Sequence, residues 1–239
     1  MTSVRGWVTA GPVRYPEGDG KPMAETDDHR IVMMDSITVL SERYQDRPDV
    51  YVSGNLLLYY EEGNPKASIS PDVLVAFGVA KAPHRRTYKV WEEGKAPDVV
   101  IEITSASSSR EDRIRKRDLY AGLGVREHVL SDPLAEYLRP PLQGYRLEED
   151  RYRPLPLSPA GAVRSALLGL DLVWQDGALR FYETATGAIL LTPAERADRE
   201  AIARRAAEQR AADLERELRE LRARLPGGEP PGPRSDGME

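Results

Sequence analysis

Apolar and polar residues alternate in several distinct ways along the chain. Residues 1–24 show little periodicity and are broken throughout by glycine and proline, which predicts an extended arm. From Glu25 to Gln45 apolar residues return at helical intervals. Ile31, Met34, Ile37, Leu40 and Tyr44 are the expected buried stripe, and Thr26 or Asp27 the cap. "VYVSGNLLLYYEEGNP" (50–65) reads as two short strands on either side of Gly54-Asn55, and "SPDVLVAFG" (70–78) as an apolar strand entered through Pro71. "VAKAPHRRTYKVWEEGKA" has few core signals and reads as a surface loop or hairpin. Residues 98–104 are the most apolar stretch, Val99-Val100-Ile101 and Ile103, with one carboxylate, Glu102, set inside it.

The segment 108–124 predicts a helix that starts on Ser109-x-x-Asp112, a capping-box-like pattern, and stops at Gly122 or Gly124. A short strand over 125–133 follows. Next comes a hairpin with Tyr145, Leu147, Tyr152 and Leu155 as its packing residues, then further short strands and turns. From Pro193 the chain turns to Ala, Glu, Arg and Leu, a strong helix. Leu214, Leu218, Leu221 and Leu225 step by four, three and four, the a/d seam of a coiled coil. The expected organisation is an arm (1–24), an α/β domain (25–192), a helical coiled-coil extension (193–225) and a disordered tail (226–239).

Composition narrows the function classes. At 239 residues and 40% hydrophobic content, the chain can hold one ordinary domain plus appendages. It has no cysteine, so disulfides and thiolate metal sites are excluded, and the expected compartment is a reducing cytoplasm. No apolar stretch approaches the roughly 20 residues that span a bilayer, and the N-terminus lacks the apolar core of a signal peptide, so no membrane partner is expected. A net charge of −5 is not that of a generally basic nucleic-acid binder. It leaves room for an acidic metal site within a local basic rim.

Glu102 raises the chemical question. An unpaired buried carboxylate is costly, so it should carry a partner, a proton or a metal. The order helix, strand pair, strand, strand, helix, strand sets it on a strand next to the one that Asp72 opens. Glu102 and Thr104, two apart, project from one face. The plain alternative is that Asp72 caps the turn after Pro71 and Glu102 sits at an exposed strand end.

Pro-Asp before one apolar strand, with Glu late in another, resembles the core of the PD-(D/E)XK nucleases. The resemblance is more specific in "KPMAETDDHR", "VYVSGNLLLYYEEGNPKASISPDVLVAFGV", "WEEGKAPDVVIEITSASSSREDRIRKRDLYAGLGVREHVL" and "LLGLDL". Over roughly residues 21–192 these segments are similar to the Uma family of predicted restriction-endonuclease-like proteins, and the C-terminal extension also resembles members of it. The resemblance implies a restriction-endonuclease-like α/β fold, with a mixed central sheet flanked by helices. It also implies dependence on Mg²⁺ or Mn²⁺ and hydrolysis of phosphodiester bonds in DNA. The expected partners are DNA, as substrate, and a second copy of the chain, through the C-terminal helix. A heterologous partner or a lone exposed helix are the alternatives there.

The resemblance also implies the site. Asp72 falls on the family's Pro-Asp acid and Glu102 on its Glu, both as metal ligands, and Ile103 would offer its carbonyl to the metal. Thr104 stands where the superfamily has lysine, and Ala106 where family members often carry one. Lys116 is the remaining candidate, on a helix where Asp112, Lys116 and Tyr120 step by four. Its alternative is an ordinary salt bridge with Asp112. His29, in "DHR", matches the family's "WHR" and would bind phosphate or position water; Glu25 is an extra acid. Glu61 and Glu62 are either near the metal or in a solvated turn. His84, Arg85, Arg86, Lys89, Arg113, Arg115 and Arg117 are candidate phosphate contacts or a solvated face. Tyr88 and Trp91 either stack on bases or pin their loop. The missing strand lysine motivates a second reading, a catalytically inactive nuclease-fold protein acting in nucleic-acid binding or coiled-coil assembly.

Overall fold

The computed structural model describes residues 13–18, 26–105 and 110–224, without the side chains of 110–112. Glu25, Ala106, Ser109, Leu225, most of the arm, the tail and the Asp112 side chain lie outside the described residues. The chain divides into two compact units, 1–190 and 191–239.

The first unit opens with helix α1 (Asp27–Arg43), whose N-terminus is capped by Thr26 Oγ1 accepting the His29 N–H at 3.2 Å. Its buried stripe differs from the expected one. His29, Val32, Met33, Ser36, Leu40 and Tyr44 are buried, whereas Ile31 and Met34 are 54% and 57% exposed. The reason is geometric. Repeated steps of three (31, 34, 37, 40) drift about 60° per step around a helix of 3.6 residues per turn, and mixed steps of three and four stay on one face.

The main sheet has six strands in the order β1-β4-β6-β7-β8-β9. These are β1 (Val50–Ser53), β4 (Val73–Phe77), β6 (Val99–Ile103), β7 (Glu127–Ser131), β8 (Leu142–Glu148) and β9 (Arg151–Pro154). β6 and β7 run parallel and the other neighbours antiparallel, so the sheet is mixed. Helix α3 (Arg110–Gly122) joins the parallel pair, the crossover that parallel neighbours require. A small sheet holds β2 (Leu58–Tyr59), β3 (Ser68–Ile69) and β5 (Tyr88–Lys89), and a third holds β10 (Val163–Ser165), β11 (Leu170–Gln175) and β12 (Ala178–Glu183). The strands β1 and β2, adjacent in sequence across Gly54-Asn55, therefore belong to different sheets.

Strand alternation gives the main sheet two faces. Val99, Ile101 and Ile103 of β6 pack with Val32, Met33 and Leu40 of α1 and with Leu170 and Phe181 of the third sheet. Val100, Leu74 and Ala76 pack on the opposite side with Tyr88, Val125 and Tyr120 of α3. The segment read as a surface loop thus contributes to the core: Tyr88 is fully buried, and it is followed by the short helix α2 (Val90–Glu93).

The second unit is helix α4 (Pro193–Arg224), opened by a capping box. Thr192 Oγ1 accepts the Glu195 N–H at 3.3 Å, and Glu195 Oε2 accepts the Thr192 N–H at 2.9 Å. Among the described residues no helix is long and apolar enough to cross a membrane.

Candidate active site

The antiparallel register of β4 and β6, Val73 opposite Ile101, sets Asp72 across from Glu102 when continued by one residue. The ladder itself stops there. The Ile103 N–H donates instead to Asp72 Oδ2 at 2.7 Å, so this carboxylate closes the end of the strand pair. From α1, His29 Nε2 lies 3.2 Å from the same Asp72 oxygen. The backbone beneath Asp72 is held by the end of β1. Asn55 N–H donates to Pro71 O at 2.9 Å, and a Cβ at Gly54 would stand 2.0 Å from Asp72 O. Only glycine permits that approach.

Glu102 is 6% exposed, not at an exposed strand end. Both its oxygens are engaged by α3. Lys116 Nζ donates to Oε2 at 2.7 Å and Tyr120 OH to Oε1 at 2.5 Å. Lys116 and Tyr120, four apart, share one helix face and meet the two oxygens of one carboxylate. Burial pushes Glu102 up to about 7 and the Asp72 charge adds to this, against the pull of the Lys116 ammonium and the two hydrogen bonds. Burial, and then the Glu102 charge, also hold the Tyr120 hydroxyl well above its usual range, so it stays a donor.

Thr104, in the place of the usual lysine, is buried and turned to another task. Its N–H donates to Ser131 O at 2.8 Å and its Oγ1 to the same oxygen at 3.4 Å, tying the residue after β6 to the last paired residue of β7. A small cavity opens beside Glu102 and Lys116, lined also by Arg113, His128 and Leu130. His128 is fully buried, and neither ring nitrogen has a hydrogen-bond partner among the described residues. The rings of Tyr120 and Tyr152 lie 5.3 and 5.7 Å away. Burial, with the Lys116 and Arg117 charges behind it, pulls His128 down to about 3, so the ring is neutral.

The donor chemistry fits a hard divalent cation. Asp72 and Glu102 are neighbouring carboxylates, and the ionised form of Glu102 is opposed by its burial and by Asp72, a penalty that a cation between them would relieve. Among the described residues no three His, Cys, Asp or Glu side chains group as a metal site. Among the described residues, the further donors open to it are main-chain carbonyls, such as that of Ile103, or water.

The other expected site residues are dispersed. Glu61 and Glu62 are exposed in a turn, where Asn64 Nδ2 donates to Glu61 Oε2 at 3.0 Å. Arg85 is committed to Glu93 at 2.5 and 2.8 Å and lies over the Tyr51 ring, so it braces the fold. Arg86 pairs with Glu17 at 2.6 Å and Lys89 with Glu92 at 2.8 Å; His84 and Arg115 are exposed. Arg117 lies over the Tyr145 ring. Tyr88, buried with its hydroxyl donating to Lys95 O at 3.0 Å, is out of reach of a base, and Trp91 packs on Tyr15. Sequence reasoning passed over Gly54, the role of Tyr120 as a Glu102 donor, and His128. Tyr120 carried a signal in its four-residue spacing from Lys116. The other two depend on strand pairings that no local pattern encodes.

Residues 13–180 match the model of the family Uma2, described as a putative restriction endonuclease. No curated protein matches the chain. Among solved structures, the chain is similar to the crystal structure of a putative nuclease belonging to DUF820 from Anabaena variabilis. Identity is 18%, the match covers 66% of this chain and 83% of that one, and the TM-score is 0.49.

Proposed function

The chain belongs to the Uma2 family of putative restriction endonucleases, and from that premise we propose that it is a metal-dependent endonuclease hydrolysing phosphodiester bonds of DNA. Asp72, Glu102 and the Ile103 carbonyl would hold Mg²⁺ or Mn²⁺. When bound, the ion supplies Lewis-acid stabilisation of phosphate oxygens and a water of lowered pKa. Lys116 neutralises Glu102 and brings a cation to where a phosphate oxygen would lie. Tyr120 fixes the second Glu102 oxygen, and His29 orients Asp72. The observation that carries the reading is the 2.7 Å contact of Lys116 with Glu102. A lysine delivered from the following helix meets the strand acid, although none stands at 104 or 106.

The test is cleavage of supercoiled plasmid with Mg²⁺ or Mn²⁺. Wild type should cut, and EDTA, Asp72→Ala and Glu102→Ala should each abolish cutting. Lys116→Ala should lower the rate about a hundredfold or more while leaving metal affinity measurable by calorimetry. Protein that binds neither metal and cuts no DNA would sink the proposal. It would favour the inactive nuclease-fold reading, which the commitment of Thr104 to Ser131 supports.

A further inference from the structure

We propose that α4 pairs with α4 of a second copy of the chain as a parallel, in-register, two-stranded coiled coil. The helix runs 32 residues and buries none of them. Its leucines stand open, with Leu214 at 64%, Leu218 at 48% and Leu221 at 54% exposure. Continuing their spacing toward the N-terminus reaches Ala211 and then Ala207, both exposed. Ala207, Ala211, Leu214, Leu218 and Leu221 thus form one apolar line at heptad spacing, the pattern that a facing helix covers.

The charges beside this line choose the occupant and its direction. With Leu214 and Leu221 at d and Leu218 at a, the g positions hold Arg210 and Glu217, and the e positions that follow hold Glu215 and Arg222. In a parallel pair, g of one helix faces the following e of the other. The contacts are then Arg210 with Glu215 and Glu217 with Arg222, both of opposite sign and each made twice by symmetry. An antiparallel pair overlaying the same line sets Glu217 against Glu217, Glu215 against Glu215 and Arg210 against Arg224, all repulsive, and gains only Glu208 against Arg222, so repulsive contacts outnumber attractive ones. Within the helix, Arg204 reaches Glu208 at 3.8 Å and Arg216 reaches Asp213 at 3.1 Å. Among the described residues Arg210, Glu215, Glu217 and Arg222 make no such pair. Of the charges that flank the apolar line, Glu208 is taken by Arg204, and these four are left for another helix.

Parallel pairing makes both chains enter the coiled coil side by side at Pro193, which holds two copies of the first unit at high effective concentration. On the nuclease reading this supplies two cutting sites for a two-stranded substrate. That consequence rests on the nuclease reading; the pairing does not.

The chain has no cysteine, so one introduced cysteine reports the register. In full-length Ala207→Cys, residue 207 meets its own copy only in the parallel, in-register arrangement, and mild oxidation should convert the protein to a disulfide-linked dimer. Sedimentation equilibrium of the wild type should show a reversible dimer. Glu217→Arg should raise its dissociation constant about tenfold, and adding Arg222→Glu should restore it. A monomer at every concentration would overturn the proposal. So would a dimer in which Ala207→Cys fails to cross-link, or in which the second charge change gives no recovery. None of these readouts uses cleavage, so failure of the nuclease reading leaves them standing.

Discussion

Glu102 is a carboxylate whose folded environment favours its proton. Its ordinary value is 4.5, and burial lifts it to about 7 in the folded, metal-free chain. Between those values the folded state holds a proton that the unfolded state has released. The stability Glu102 contributes is therefore full below 4.5 and is lost as pH rises toward 7. His128 acts in the opposite sense. Its pKa falls from 6.5 to about 3, so its contribution is full above 6.5 and is lost as pH falls. Glu102→Gln isolates the first effect. Across the window from 4.5 to about 7, the stability of metal-free wild type relative to this variant should fall by roughly 1.4 kcal/mol per pH unit, read from urea unfolding. A difference that stays flat, or rises with pH, would contradict the assignment. Glu102 and Asp72 are legible in the sequence because an acid inside an apolar strand, and Pro-Asp before another, stand out locally. The neutrality of His128 is not legible, since "EHVLS" shows a histidine in a strand but not the tyrosines packed around it.

At the scale of elements, the junction of β1, β4 and β6 sets the geometry of the site. The end of β1 passes so close to Asp72 that a Cβ at Gly54 would also stand 2.6 Å from Ile37 Cδ1. The backbone oxygen of Asp72 has nowhere to retreat without shifting the strand that carries the carboxylate. Gly54→Ala should therefore cost about 1–3 kcal/mol in urea unfolding. It should also weaken Mn²⁺ binding at pH values where the variant remains folded, because the Asp72 side chain moves with its backbone. Retention of wild-type metal affinity in a folded Gly54→Ala protein would show that the approach serves packing alone. The elements themselves are largely readable: α1, β4, β6, α3, β7 and the β8-β9 hairpin all fall where periodicity and turn residues set them. Partnership is not readable. "VYVSGNLLLYY" gives no sign that its strands join different sheets, because pairing is decided by distant segments. Nor is the buried face of α1 readable from apolarity alone. Ile31 and Met34 are as apolar as Val32 and Met33, and the face that keeps mixed steps of three and four, through His29, Met33, Ser36 and Leu40, is masked because two of those four are polar.

At the scale of the whole chain, the first unit carries its own core, and α4 buries nothing within the single chain. Charging the apolar line of α4 should therefore leave that core intact while removing association. In Leu214→Asp with Leu221→Asp, no buried methyl group of a single chain is lost, so no cavity opens, and two acids on an exposed helix cost little in propensity. At concentrations where the wild type is monomeric, urea unfolding of its first unit should match that of the variant within about 0.5 kcal/mol. Plasmid cleavage should separate the two proteins where unfolding does not. On the nuclease reading, a dimer holding two sites near one duplex should convert supercoiled plasmid to linear form with little nicked intermediate. A monomer makes independent cuts, so nicked circles should accumulate before linear product. The contrast should also grow with wild-type concentration across its dimer dissociation constant and be absent for the variant. Identical ratios of nicked to linear product in both proteins would mean that cleavage does not use the pairing, even with the dimer present in the centrifuge.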